Sequence, residues 1–201
     1  MGTGESLEDV VHLLTTPQET RYLVRSGYEA HTRGVRGQGF RLAIFYGWEP
    51  GLLHIFIDAD GCPVKREVYR VAKRYGLKVT LVSNSRMGTP QEDWLEVVVV
   101  HGQFNAADDW IVEHVSEKDI VITGDIPLAS RCLEKDAQVL APSGRIFTRE
   151  SIGEALASRE LLSHLRDLGT ITGGPAPFEK RDRSRFLQRL DETIQAVRGR
   201  K

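Results

Sequence analysis

The chain has 201 residues, of which 40% are apolar and 27% charged, so it is long enough for one globular domain with an appendage. Its formal net charge of −1 excludes a uniformly basic nucleic-acid-binding protein, although residues 179–201 carry eight Lys/Arg against four Asp/Glu. The sequence has no apolar run of about 18 residues and no signal-peptide pattern. Its two cysteines, Cys62 and Cys132, lack metal-binding spacing. We therefore expect a cytoplasmic protein that has no contact with the membrane.

Residues 1–52 contain no repeat and no functional motif, and we predict that they form an N-terminal extension to a domain covering residues 53–201. From residue 54 onwards, short apolar runs alternate with amphipathic segments. This pattern predicts strands at 54–58, 78–83, 96–100, 119–123 and 137–140 and helices at 63–75, 106–115 and 127–135. The alternation indicates βαβ units, and hence an α/β fold whose central, mainly parallel sheet is covered by helices on both faces.

The C-terminal part of the chain is predicted to be helical. Thr148 is a candidate N-cap for a helix that ends near Gly169, and the TGGPAP segment at 172–177 predicts a turn-rich linker. A last helix at about 182–198 carries one apolar stripe, formed by Phe186, Leu190, Ile194 and Val197.

Five aspartates fall where predicted strands end or the following helices begin: Asp58, Asp60, Asp108, Asp109 and Asp125. Ligands of open parallel sheets bind at the carboxyl ends of the strands, so we expect these carboxylates to converge there. Converging carboxylates repel each other unless a cation lies between them, and an all-oxygen ligand set favours Mg²⁺ or Mn²⁺ over zinc. The sequence therefore predicts a divalent-metal site.

Each aspartate also has a purely structural interpretation. Asp60 suits a turn, Asp108 and Asp109 suit a helix N-terminus, and Asp125 suits an N-cap position before Pro127. Asp58 has the weakest such interpretation, because it continues a strand pattern. Their coincidence at one sheet edge favours the metal site.

Polar and basic residues around this edge are candidates for contacts with nucleic acid. The candidates are Lys65, Ser83, Asn84, Lys180, Arg181, Arg183 and Arg185. The competing interpretation is a polar turn after the second strand and solvated helix faces elsewhere. Cys62, beside the aspartates, is interpreted as a small packing residue rather than a nucleophile, because no histidine lies near it in sequence.

Five stretches of the chain carry a resemblance to a known family. They are IDADGCPVKREVYRVA, VTLVSNS, AADDWI, DIVITGDIPLASRCLEK and TGGPAPFEKRDRSRFLQ. In this order they resemble the YaiI/YqxD family of small bacterial proteins, which has no established activity and is grouped with the PIN-like and NYN nuclease folds. The resemblance runs from Ile55 to about Val197 and leaves residues 1–52 outside. Family members usually carry DADACPVK, whereas this chain has Gly61 at the second alanine.

The resemblance implies a three-layer PIN-like domain with a metal-dependent nuclease site. By that comparison Asp58 is the first metal ligand, Asp108 or Asp109 are the middle ligands and Asp125 is the last, while Asp60 occupies a neighbouring polar position. The implied activity is Mg²⁺- or Mn²⁺-dependent hydrolysis of phosphodiesters, with RNA favoured over DNA as the substrate.

Two alternatives remain open. IDADG also resembles the DxD loop of haloacid-dehalogenase-type phosphatases, with Asp58 as the nucleophile and Asp60 as the acid/base. The other alternative is a non-catalytic RNA-binding module that uses its metal only structurally.

Overall fold

The computed structural model describes residues 21–24, 53–101, 105–170 and 177–199. The strands are β1 (Arg21–Val24), β2 (His54–Asp58), β3 (Lys78–Ser83), β4 (Leu95–His101), β5 (Ile120–Ile122), β6 (Gln138–Leu140) and β7 (Ile146–Phe147). The helices are α1 (Lys65–Tyr75), α2 (Ala106–His114), α3 (Ile126–Glu134), α4 (Arg149–Asp167) and α5 (Lys180–Gly199).

Within the described residues, seven strands form one sheet in the order β1-β4-β3-β2-β5-β6-β7. The five inner strands are parallel, and the two edge strands β1 and β7 run antiparallel to their neighbours. This confirms the predicted α/β class with a mainly parallel central sheet and C-terminal helices. Among the same residues, no helix is both long and apolar enough to cross a membrane.

Every strand and helix predicted from residue 54 onwards is present, with small shifts at the ends. The helix predicted from residue 63 begins at Lys65, and the last helix begins at Lys180, two residues before its predicted start. The strands β1 and β7 were not predicted. β1 belongs to the N-terminal extension and pairs with β4, while the rest of residues 1–52 lies outside the described residues. The two-residue β7 is too short to give an alternating pattern.

Helices cover both faces of the sheet and bury an apolar core on each. On one face, α1 and α5 pack against the inner strands, and the predicted stripe of α5 is buried there. On the other face, α2, α3 and the first half of α4 pack around Trp110. Fully burying a side chain such as Leu190 on the first face or Ile111 on the second contributes about 1.5–3 kcal/mol, so both cores stabilise the sheet between them.

The strand order reverses at β2. The chain proceeds from β2 to β3 and β4 on one side, and then returns to place β5 and β6 on the other side. In the β2–β5 pair, Ile57 lies opposite Ile122, so both strands end at the same edge. The crevice outside these strand ends is the topological switch point, where open parallel sheets bind ligands.

The loop between β6 and β7 brings α5 close to this edge. Gly144 has a φ of 84°, and a Cβ placed on it would lie 2.8 Å from Cγ of Arg185 and 2.9 Å from the backbone N of Phe186. Only glycine combines this backbone conformation with this close approach. Gly144 therefore allows the first turns of α5 to pack against the loop between β6 and β7.

Candidate functional site

Asp58, Thr123 and Asp125 are linked by hydrogen bonds at the switch point. The hydroxyl of Thr123 donates to Oδ2 of Asp58 at 2.8 Å and accepts from the backbone N–H of Asp125 at 3.0 Å. Asp125 in turn caps α3, because its Oδ1 accepts from the backbone N–H of Leu128 at 2.9 Å. The ends of two neighbouring strands thus hold two carboxylates in defined positions.

The electrostatics of the cluster resist full ionisation. Burial raises the pKa of Asp58; repulsion from Asp60 and Asp125 adds to the effect, and the hydrogen bond from Thr123 opposes it. Burial, with repulsion from Asp58 and Asp125, raises the pKa of Asp108 on α2 to about 6. Asp58, Asp108 and Asp125 therefore repel one another at this edge of the sheet.

The other two predicted aspartates make neutralising or structural contacts. Asp109 forms an ion pair with Arg131 on α3 at 2.7 Å, and both side chains are exposed. Asp60 accepts from the backbone N–H of Asn84 at 3.0 Å and from its Nδ2 at 2.7 Å. Asp60 therefore joins the loop after β2 to the loop after β3.

A cleft of about 240 Å³ opens at this edge of the sheet. It is lined by Asp58, Gly61, Cys62, Gly124, Asp125 and Pro142. Burial raises the pKa of the Cys62 thiol to about 11, so the thiol is protonated at neutral pH and is a poor nucleophile. Asp58 and Asp125 are the carboxylates that line the cleft.

The chemistry of the donors fits a hard divalent cation, but their arrangement does not enclose one. Among the described residues, no three side chains of His, Cys, Asp or Glu are placed to bind one metal ion together. Mg²⁺ commonly uses only one or two carboxylates and completes its octahedron with water and substrate phosphate oxygens. Asp58 and Asp125 fit that smaller role. The four-aspartate metal site stays a prediction.

Most of the predicted nucleic-acid contacts have partners within the protein. Lys65 donates to the carbonyl oxygen of Ala59, Ser83 is buried and donates to the carbonyl oxygen of Ser85, and Asn84 binds Asp60.

The three candidate arginines of α5 form ion pairs. Arg181 pairs with Glu179, Arg183 pairs with the buried Glu67, and Arg185 pairs with Asp182. Lys180 is exposed. The candidates from α1 and β3 lie near the cleft, whereas the arginines of α5 are engaged in ion pairs.

Sequence reasoning missed Thr123, Arg131 and Pro142. Thr123 directly precedes Gly124-Asp125 at the end of an apolar run, and a polar residue at that point was the available signal. Arg131 and Pro142 carry no such signal, because only the packing of α3 and of the loop after β6 brings them to the site.

Comparison with known proteins gives a family match over most of the chain. Residues 56–196 match the model of a family described as uncharacterised, the YaiI/YqxD family. A UPF0178 protein of Rhodospirillum centenum is 56% identical over 151 residues, which are 73% of this chain and 98% of that protein. A UPF0178 protein of Brucella ovis is 54% identical over 147 residues, which are 73% of this chain and 91% of that protein. No solved structure gives a significant match.

Proposed function

Because the chain belongs to the uncharacterised YaiI/YqxD family, its activity has to be argued from its own site, and we propose that it is a divalent-metal-dependent nuclease acting on RNA. One observation carries this proposal. Asp58, Asp108 and Asp125 repel one another at the topological switch point, and within the described residues none of the three has an ion-pair partner. A divalent cation at this position relieves the repulsion.

A bound cation would lower the pKa of a water molecule, which would then be the attacking nucleophile, and it would neutralise charge on the phosphodiester. The residues of the chain position the cation. Asp58 and Asp125 offer carboxylate oxygens to the ion, and the Thr123 hydroxyl orients Asp58 by its 2.8 Å hydrogen bond. Asp108 adds a third negative charge, which favours the divalent cation at the cleft.

Contacts of Asp60 favour the nuclease over the phosphatase alternative. In that alternative, Asp60 gives a proton to the leaving group and then takes one from water. In this structure, both the backbone N–H and the amide Nδ2 of Asn84 donate to Asp60. These two contacts direct the Asp60 carboxylate towards Asn84 and join it to the loop after β3. The arrangement supports a positioning role for Asp60.

The size of the cleft supports a polymeric substrate. At about 240 Å³ it is smaller than the clefts of about 300–1,000 Å³ that enclose small-molecule ligands. A site of this size can receive one phosphodiester group while the rest of the substrate lies on the surface. We place the activity in the cytoplasm, in keeping with the two buried free thiols.

The test is cleavage of a labelled single-stranded RNA in Mn²⁺, in Mg²⁺ and in EDTA. The variants are Asp58→Asn and, as a control with the same chemical change at an exposed site, Asp167→Asn on α4. We expect metal-dependent cleavage by the unmodified protein and by Asp167→Asn, and a loss on the order of 100-fold in Asp58→Asn without loss of thermal stability.

Three results would contradict the proposal. Equal turnover in Asp58→Asn would remove the aspartate from the reaction. Hydrolysis of an aryl phosphate with a phosphoaspartate trapped on Asp58 would establish the phosphatase. Salt-sensitive RNA binding without cleavage in any metal would establish a binding module.

A further inference from the structure

The exposed face of α1 carries four basic residues, and the two nearest its N-terminus have no acidic partner. Lys73 and Arg74, in the last turn, form ion pairs with Glu92 and with an aspartate of α5. Within the described part of the chain, the side chains of Arg66 and Arg70 form no ion pair and no hydrogen bond. These two guanidinium groups are therefore available to an external anion.

The arginines in the first two turns of α5 are less available to an external anion than Arg66 and Arg70 of α1. Each of the three arginines in its first two turns is held by an acidic side chain, as Arg181 is by Glu179, Arg183 by Glu67, and Arg185 by Asp182. Arg185 also donates to the carbonyl oxygen of Ser143 at 2.8 Å. Binding a phosphate at Arg183 or Arg185 would compete with contacts that attach α5 to α1 and to the loop after β6.

Arg66 and Arg70 follow the segment of the chain that carries Asp58 and Lys65. Lys65, the first residue of α1, donates through Nζ to the carbonyl oxygen of Ala59 at 2.8 Å, and Ala59 follows Asp58 directly. Arg66 comes next in the chain, and Arg70 lies one turn further, about 6 Å along the helix axis. Residues four apart lie on the same face of a helix, so the two exposed side chains form one basic row that begins next to Lys65.

We propose that Arg66 and Arg70 bind successive backbone phosphates of a single-stranded RNA whose scissile phosphodiester lies at Asp58. This inference rests on the proposed function and identifies the surface that holds its substrate. A planar guanidinium forms two parallel hydrogen bonds with a phosphate, which a solvated lysine does not do. The row and the polyanion have complementary charges, and the substrate therefore includes at least two nucleotides beyond the cleaved bond.

The experiment compares the double variant Arg66→Gln/Arg70→Gln with the double variant Arg159→Gln/Arg189→Gln. The second pair removes the same net charge from α4 and α5 and serves as the control. The first readout is the affinity for labelled single-stranded RNA in EDTA across a KCl series, so that no cleavage is needed. The second readout is the cleavage, in Mn²⁺, of the long RNA and of a dinucleotide that is too short to reach Arg70.

We expect Arg66→Gln/Arg70→Gln to weaken RNA binding about tenfold or more at low salt. The slope of log affinity against log salt concentration should become shallower by about 1.4, which is about 0.7 for each lost phosphate contact. KM should rise for the long RNA, and cleavage of the dinucleotide should be unchanged. The control variant should match the unmodified protein in all readouts.

The two proposals fail in different ways. RNA cleavage with no change in salt slope or KM in Arg66→Gln/Arg70→Gln would overturn the basic row and leave the nuclease standing. Loss of RNA binding in that variant without any cleavage by the unmodified protein would support the basic row and overturn the nuclease. Equal or tighter binding of single-stranded DNA of the same sequence would overturn the assignment to RNA, and the absence of any RNA binding would overturn the row.

Discussion

Thr123 donates its hydroxyl proton to the half-buried carboxylate of Asp58 at 2.8 Å, and this bond joins the ends of the two strands that flank the switch point. The same oxygen accepts the backbone N–H of Asp125 at 3.0 Å. Thr123 is therefore the residue that sets the relative position of the two carboxylates.

Replacing Thr123 with valine keeps the shape of the side chain and removes both hydrogen bonds. We expect the free energy of unfolding to fall by about 1–3 kcal/mol, because a buried acceptor and a backbone donor lose their partner. The hydrogen bond lowers the pKa of Asp58, so its loss raises that pKa further. The destabilisation should be larger at about pH 8 than at about pH 4, because the raised pKa of Asp58 shifts its carboxyl group towards the neutral form as the pH falls.

The measurement is urea denaturation of Thr123→Val at both pH values in EDTA. Thr193→Val on α5 is the control, because the hydroxyl of Thr193 only donates to a carbonyl oxygen of its own helix and no carboxylate depends on it. An equal loss of stability at both pH values would show that the hydroxyl does not stabilise the charge on Asp58.

Asp108 should make stability depend on pH in the metal-free protein. Its pKa rises from the ordinary 3.8 to about 6 on folding, so the folded state binds the proton more tightly. Stability therefore falls as the pH rises through this window, and the cost is fully present above about pH 6. Solvent screening at this half-exposed side chain limits that cost to about 1 kcal/mol.

Replacing Asp108 with asparagine should remove this cost. We expect the variant to match the unmodified protein below about pH 4 and to be about 1 kcal/mol more stable above about pH 6, measured by thermal unfolding in EDTA. Asp109→Asn, which loses the ion pair with Arg131, should show no such gain. A constant difference across the pH range would contradict the repulsion among the carboxylates.

Asp125 combines a structural role with the proposed catalytic one, and two substitutions separate them. Asp125→Ala removes the N-cap of α3 and should cost about 1 kcal/mol of stability, whereas Asp125→Asn keeps a capping side chain and should change stability by only a few tenths of a kcal/mol. Metal-dependent RNA cleavage should be lost in both. Normal cleavage by the stable Asp125→Asn would leave Asp125 with only its capping role.

Gly144 should tolerate no side chain. Gly144→Ala combines a φ of 84° with a Cβ 2.8 Å from Arg185 and 2.9 Å from the backbone N of Phe186, so we expect a loss of about 2 kcal/mol or more. Gly153→Ala is the control, because it lies in α4 with open space around it and should stabilise the helix by about 0.5–1 kcal/mol. Chemical denaturation measures both, and unchanged stability in Gly144→Ala would contradict the close packing of α5.

Local sequence pattern determined much of the fold. The run at His54–Asp58 and the amphipathic pattern of α1, which ends at Gly76, predicted their elements because hydrophobic period and helix caps are local properties. The two edge strands escaped prediction: β7 is only two residues long, and β1 is recognisable only by its pairing with β4. The partner of an edge strand lies far away in sequence, so a local pattern alone does not identify the pair.

By itself, the sequence determined the α/β class, the family and the placement of aspartates at the carboxyl edge. The end of a strand and the residues that follow it are neighbours in sequence, so a local pattern locates them. Only the tertiary structure decided which aspartates face one another. Strand order brings Asp58 beside Thr123, while Asn84 and Arg131 engage Asp60 and Asp109. The structure likewise showed that Arg183 of α5 pairs with Glu67, whereas Arg66 and Arg70 have no ion pair with any of the residues that it describes. An ion pair depends on which distant residue the fold brings within reach.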